Sequence, residues 1–197
     1  MLQFSSVTKI STGQKEERLR QRACSIWMTG LSGAGKTTLG LTLENALFFQ
    51  GFFVQLLDGD IVRTGLNRDL SYSETGRVEN IRRIAEVNAL FNASGIITIN
   101  CFISPTEAIR AMAKNIIGPD RFIEIFIQAS LAICEKRDVK GMYKKARQGL
   151  IKNFTGIDSP FETPKNPDLV IDTANLSVDE SLNSMLNLVI PRISSPL

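Results

Sequence analysis

Lys36 and Thr37 close the stretch Gly30-Leu31-Ser32-Gly33-Ala34-Gly35-Lys36-Thr37, which fits the phosphate-binding pattern G-x-x-x-x-G-K-[ST]. The residue types explain the spacing. Glycines let backbone N–H groups turn inward and approach phosphate oxygens without a Cβ in the way. Lys36 brings a positive charge to the β- and γ-phosphates, and the Thr37 hydroxyl can ligate Mg²⁺. A second pair of reactive groups lies in Asp58-Gly59-Asp60. Two carboxylates this close at a strand end suit two tasks: one orients metal-bound water, the other takes a proton from an acceptor hydroxyl. Asp60 is the better base, being nearer the loop that follows, and Asp58 joins Thr37 at the metal. The chain has no histidine, so proton transfer falls to a carboxylate or another group.

Arginines follow at Arg63, Arg77, Arg82 and Arg83, and their forked guanidinium suits phosphate or sulfate. Arg77 and Asn80 are three residues apart, one helical face, so both can reach one ligand. Ser104, in Ser104-Pro105-Thr106-Glu107, reads as the opening of a capping box, with a contact to substrate in addition. Net charge is +3, but residues 134–152 hold seven basic side chains against two acidic ones. Basicity packed into one segment fits a phosphate-rich small ligand better than a long nucleic acid. This glycine-punctuated segment reads as a lid over about 137–158.

The elements that must hold these groups are legible in the pattern. Ser25 to Thr29 is a short buried strand, and Leu39, Leu43, Ala46 and Leu47 mark a helix ending at Gly51. Strands follow at Phe53–Leu57, Ile96–Phe102, Phe122–Ile127 and Leu169–Ile171. Helices are expected from Val78 to Gly95, from the Ser104 box to Ile117, around Leu131–Glu135, and from the Ser177/Glu180 box to Pro191. Residues 61–73 read as loop and residues 1–22 as a flexible lead-in to a single domain over 23–197. Strand and helix alternating about five times predict an α/β fold, a parallel sheet flanked by helices on both faces. Ligands then sit at the C-terminal strand ends, where Thr29-Gly30, Asp58-Gly59-Asp60 and Ile103-Ser104 lie. No apolar run reaches the ~18 residues of a membrane helix, and no apolar leader opens the chain. Three cysteines without a C-x-x-C pair suit a reduced, cytoplasmic protein.

The ordered set Thr29 to Thr38, Leu57-Asp58-Gly59-Asp60, Arg77-Val78-Glu79-Asn80-Ile81-Arg82-Arg83, Phe102-Ile103-Ser104-Pro105, Arg137-Asp138-Val139-Lys140-Gly141, Lys144-Lys145-Ala146-Arg147 and Phe154-Thr155-Gly156-Ile157-Asp158 resembles the adenylylsulfate kinases over Trp27 to Thr173. The resemblance implies a P-loop kinase that uses ATP and Mg²⁺ to phosphorylate the 3′-hydroxyl of adenylyl sulfate in sulfate assimilation, usually as a homodimer. It places the ATP site on Gly33, Ala34, Gly35, Lys36, Thr37 and Thr38, with Arg137 beside the adenine. It places adenylyl-sulfate contacts on Asp58, Asp60, Arg63, Tyr72, Arg77, Asn80, Ile103, Ser104, Lys140, Asn153 and Phe154, the last stacked on the substrate adenine. Ser104 matches a serine sometimes described as a phosphoserine intermediate, although direct in-line transfer needs none. The chain departs from the family pattern at Ile61, often Asn, at Gly76, often Asp, and at Thr106, often Tyr. Other classes remain open on the residues alone. Another small P-loop kinase would need a different acceptor pocket. A GTPase switch matches Asp138-Val139-Lys140-Gly141 by letters but lacks a guanine motif, and an idle scaffold sits badly with intact Lys36, Thr37, Asp58 and Asp60.

Overall fold

The apolar runs become five short strands: β1 (Ser25–Thr29), β2 (Val54–Asp58), β3 (Ile97–Cys101), β4 (Phe122–Gln128) and β5 (Leu169–Asp172). A computed structural model, describing residues 8–194, orders them β2-β3-β1-β4-β5, every neighbouring pair parallel. Parallel neighbours require crossovers, and helices supply them. They are α1 (Thr12–Leu19), α2 (Lys36–Phe49), α3 (Gly59–Thr64), α4 (Glu74–Ala93), α5 (Glu107–Ile117), α6 (Leu131–Arg137), α7 (Met142–Arg147) and α8 (Val178–Ile193).

Central β1 is buried along its whole length, so its alternating side chains serve two cores. Ile26 and Met28 meet Leu39, Leu43 and Leu47 of α2 and Met185, Val189 and Ile193 of α8. Trp27 faces the other way, into Ile81, Ile84 and Ala85 of α4 and Ile109 and Ala113 of α5. Its indole stacks on Phe102 and Phe122, each with centroids 5.6 Å away. Truncating a side chain so placed costs about 3–5 kcal/mol. Beside it, a buried polar knot joins α4 to the sheet. Ser25 Oγ donates to Asn88 Oδ1 at 2.9 Å, Asn92 Nδ2 donates to Ser25 Oγ at 3.0 Å, and the Asn88 and Asn100 amides pair at 2.8 Å. Such a network permits one register of α4 and thereby fixes where its N-terminal turn, with Arg77 and Asn80, must lie.

Four local expectations change. Residues 12–19 of the expected lead-in form a capped helix, and Gln21 behind it is buried. Its amide donates to Phe53 O and Gly95 O and accepts from Phe53 N, tying the N-terminal end of β2 to that of β3; residues 1–7 lie outside the described region. Part of the loop expected after Asp60 winds into α3 because the Asp58 carboxylate caps it. Thr106, not Ser104, caps α5, accepting from Ile109 N at 3.3 Å. Pro191 does not stop α8, since Ile193 is buried and its carbonyl accepts from Arg22 N at 2.7 Å, which outweighs one lost helical bond.

Candidate active site

The phosphate loop links β1 to α2. Gly30 passes so close to β4 that a Cβ there would stand 2.4 Å from Ile127 O, so no other residue fits. Gly35 caps α2 with backbone alone, which leaves the helix's first N–H groups pointing at the space an anion would fill. Lys36 is buried and folds back, Nζ donating to Gly30 O at 2.8 Å and Leu31 O at 2.7 Å. Burial pushes its pKa down to about 8. Thr37 Oγ1 donates to Asp58 Oδ2 at 2.7 Å, while Asp58 Oδ1 accepts the Asp60 N–H at 2.9 Å. One unbroken chain of contacts therefore runs from the phosphate loop to Asp60. The Thr37 hydroxyl and Asp58 carboxylate are hard oxygen donors side by side, a pair that fits Mg²⁺ with phosphate and water completing its shell.

Arg137 does not stand free. It donates to Gly33 O, Ala34 O and both oxygens of Thr173, at 2.7–3.3 Å, and so braces the loop from behind. Tyr143 on α7 donates from its hydroxyl to Ser32 O at 2.9 Å, which pins the lid onto the same loop.

Across the site, Asp60 is exposed and pairs with Lys140 of the lid. Arg63 lies over the Tyr72 ring at 4.3 Å and donates to Leu70 O at 3.2 Å. Arg77 donates to Tyr72 O at 3.1 Å and Thr155 Oγ1 at 2.8 Å, and it also binds Asn153 O. Burial, then the like charge of Arg63, lowers its pKa. Asn80 is buried and accepts from Asn67 Nδ2 at 3.0 Å, so the shared face of Arg77 and Asn80 is divided between two partners. Arg82 and Arg83 are occupied with Glu79 and, for Arg83, Asp69.

Ile103 O accepts from Thr29 Oγ1 at 2.7 Å, and Ser104 follows with φ of 39°. The buried Ser104 hydroxyl accepts from Trp27 Nε1 at 3.1 Å and donates to Thr29 Oγ1 at 3.0 Å. Phe154, expected as an open stacking face, is only 8% exposed and meets Tyr143 edge to face at 5.0 Å. Next to it a cavity of about 830 Å³ opens between Leu31, the end of β4 and residues 156–163, with Phe126 and Phe161 stacked in its wall.

A model of the family described as adenylylsulphate kinase matches residues 22–172. The chain belongs to the adenylylsulphate kinase family. An adenylyl-sulfate kinase of Bacteroides fragilis strain YCH46 is 59% identical over 180 residues, covering 91% of this chain and 89% of its own. The APS kinase CysC of Mycobacterium tuberculosis, solved in complex with AMPPNP and APS, superimposes with a TM-score of 0.82 at 41% identity, over 86% of this chain and 98% of that one. A hexameric APS kinase from Thiobacillus denitrificans superimposes with a TM-score of 0.66 at 30% identity, over 87% of this chain and 29% of that one. Among the described residues, no helix is long and apolar enough to cross a membrane.

In this adenylylsulphate kinase, Gly76 and Thr106 have local structural roles. Gly76 admits no side chain, because a Cβ would stand 2.3 Å from Ser71 O. That close approach seats Tyr72 beside Arg63 and Arg77. Thr106 acts as the cap of α5. Sequence reasoning missed Thr173 and Tyr143 as props of the phosphate loop. A threonine just past a strand and a tyrosine in a basic helix carry no spacing signal toward residues more than a hundred positions away.

Proposed function

We propose that this kinase transfers the γ-phosphoryl group of ATP to the 3′-hydroxyl of adenylyl sulfate, giving 3′-phosphoadenylyl sulfate. The observation that supports this reading is the run of contacts from the phosphate loop through Thr37 and Asp58 to Asp60, which would join donor phosphates to acceptor hydroxyl. The ATP phosphates sit at the α2 N-terminus, where Lys36 swings off its two carbonyls onto the β- and γ-oxygens. Thr37 and Asp58 would hold Mg²⁺, which neutralises charge between those phosphates. Asp60 accepts the 3′-hydroxyl proton, with Lys140 beside it to hold its orientation. Arg63, Arg77 and Asn80 face the phosphosulfate, and the cavity beside Phe154 offers aromatic walls to the purine. Transfer is direct. The Ser104 hydroxyl is buried and engaged as both donor and acceptor, which supports a structural role and leaves no free nucleophile there.

The enzyme acts in the cytoplasm, in sulfate assimilation, and as a homodimer. Three buried, unpaired thiols support a reducing compartment, and the hexameric relative supports self-association. A coupled assay with ATP, Mg²⁺ and adenylyl sulfate, run beside gluconate and shikimate as rival acceptors, tests the reading. ADP release only with adenylyl sulfate is expected, and a preference for either rival would overturn it.

A further inference from the structure

Three described non-glycine residues have φ well inside the left-handed region: Arg20, which caps α1, and Ser104 and Asn153, which both lie at the proposed acceptor site. A serine stays in the left-handed region only where its surroundings over-determine it. The restraints on Ser104 come from both sides of its turn. Trp27 and Thr29 hold the hydroxyl. Arg110 donates from Nη1 to Ser104 O at 3.0 Å, and its Nε pairs with Glu124 at 3.0 Å. Arg110 is only 4% exposed, so its charge is balanced by that carboxylate rather than by solvent. One residue on, Pro105 O accepts from the backbone N–H of Glu162 at 2.8 Å, and the Glu162 carboxylate accepts from Glu107 N at 2.7 Å. Glu162 lies in the segment that leaves the lid just after Phe154 and Ile157.

We propose that Arg110 and Glu162 are positioning residues for the phosphoryl acceptor: together they clamp the Ile103-Ser104-Pro105 turn so that its peptide groups face adenylyl sulfate, and Glu162 ties that turn to the lid. The proposal rests on the acceptor reading given above, but the clamp itself does not. Neither side chain touches donor phosphates, so their loss is felt by the acceptor alone. A charge-assisted bond to a backbone N–H is worth about tenfold in an equilibrium.

The test uses the full chain with Glu162→Ala, Glu162→Gln and Arg110→Lys. Glu162→Ala should raise the KM for adenylyl sulfate about tenfold, with the KM for ATP and the melting temperature nearly unchanged because the residue is exposed. Glu162→Gln keeps an acceptor oxygen but not the charge, and should recover much of the lost affinity. Arg110→Lys keeps charge against Glu124 but loses the second arm of the fork, and it should repeat the KM shift. Amide hydrogen exchange at Ile103 and Ser104, without ligand, should quicken in Glu162→Ala and Arg110→Lys. Unchanged exchange and unchanged KM in both variants would overturn the clamp, as would an equal rise in the KM for ATP. Faster exchange in a protein whose wild type does not turn over adenylyl sulfate would uphold the clamp and sink the acceptor reading instead.

Discussion

The phosphate loop and the acceptor wall face each other and are held in opposite ways. Residues 30–35 form one unbroken turn between β1 and α2, with Lys36, the first residue of α2, buried against that loop's carbonyls. The acceptor wall is gathered from four places: Asp58 to Tyr72, the first turn of α4, the end of β3, and the lid. Its charged groups are parked on other segments, Arg77 on Tyr72 O and Asn153 O, Lys140 on Asp60. A contiguous loop on two regular elements is rigid before ligand arrives. A wall stitched through cross-segment bonds can open, because each bond closes a gap between pieces that move separately. On the function proposed above, the donor half would supply preorganised electrostatics, and the acceptor half selection and closure.

The sharpest way to break this contrast is Lys36→Ala. Preorganised charge at the transferring group is the largest catalytic term such a site has, so kcat should fall about a thousandfold. The fold should survive, since the residue's partners are loop carbonyls that water can reach once the side chain is gone. Steady-state kinetics and circular dichroism check both halves, and a kcat within about tenfold of wild type would contradict the assigned role.

Asp60→Asn probes the junction between the two halves. The amide keeps shape and hydrogen bonding but cannot take the 3′-hydroxyl proton, so kcat should fall about a hundredfold with little change in either KM. Near-normal turnover would move the base elsewhere, and with no histidine in the chain the remaining carboxylate at hand is Asp58.

The same contrast decides what the sequence reveals. The donor half is mostly local: eight consecutive residues, one strand before and one helix after, readable from spacing apart from the distant props Thr173 and Tyr143. Strands β1 to β5 fall within a residue or two of the apolar runs that announce them. The acceptor half depends on which distant segments meet. Arg77 and Asn80 share a helical face in the pattern, yet one reaches the lid and the other Asn67. Ser104 looks like a helix cap by its letters, but Trp27 and Thr29, some 75 positions earlier, claim its hydroxyl and leave the cap to Thr106. Phe154 has the right side chain for stacking, but tertiary packing spends that face on Tyr143. Contacts of this kind are set by topology, and local propensity has no term for them.

Arg77→Ala tests whether the acceptor wall joins selection to closure. The substitution removes an anion-binding fork and unfastens Asn153 and Thr155 at once. The KM for adenylyl sulfate should rise about tenfold, ATP binding should hardly change, and amide exchange over residues 150–158 should quicken. A variant that weakened ATP instead would show that the acceptor pocket is misplaced. Unchanged exchange would mean that the lid's other ties, Tyr143 to Ser32 and Lys140 to Asp60, hold it without Arg77.

The smallest expected effect is a pH dependence that only the buried donor side can produce. Free Lys36 has its pKa lowered to about 8 by burial, while phosphates at the loop favour its charged form. Nucleotide binding should therefore take up a proton around and above pH 8, and the part of the affinity that Lys36 supplies should fall as pH rises through that value while staying flat below pH 7. Between pH 7 and about 8.5 the expected loss is about fourfold. Neighbouring thiols do not blur the window, since burial pushes Cys101 up to about 12 and raises Cys134 as well. Folding carries the opposite sign. The unfolded chain holds the lysine proton up to about pH 10.4, so between 8 and that value it binds more protons than the native state. Stability from this group is lowest below pH 8 and rises through the window, just where nucleotide affinity declines. Calorimetric titration with ATP in two buffers of different ionisation enthalpy measures the uptake directly, and Lys36→Met should abolish it. An uptake that persisted in Lys36→Met would place the titrating group on the acceptor side, and the division between a buried, charge-tuned donor half and an exposed acceptor half would fail.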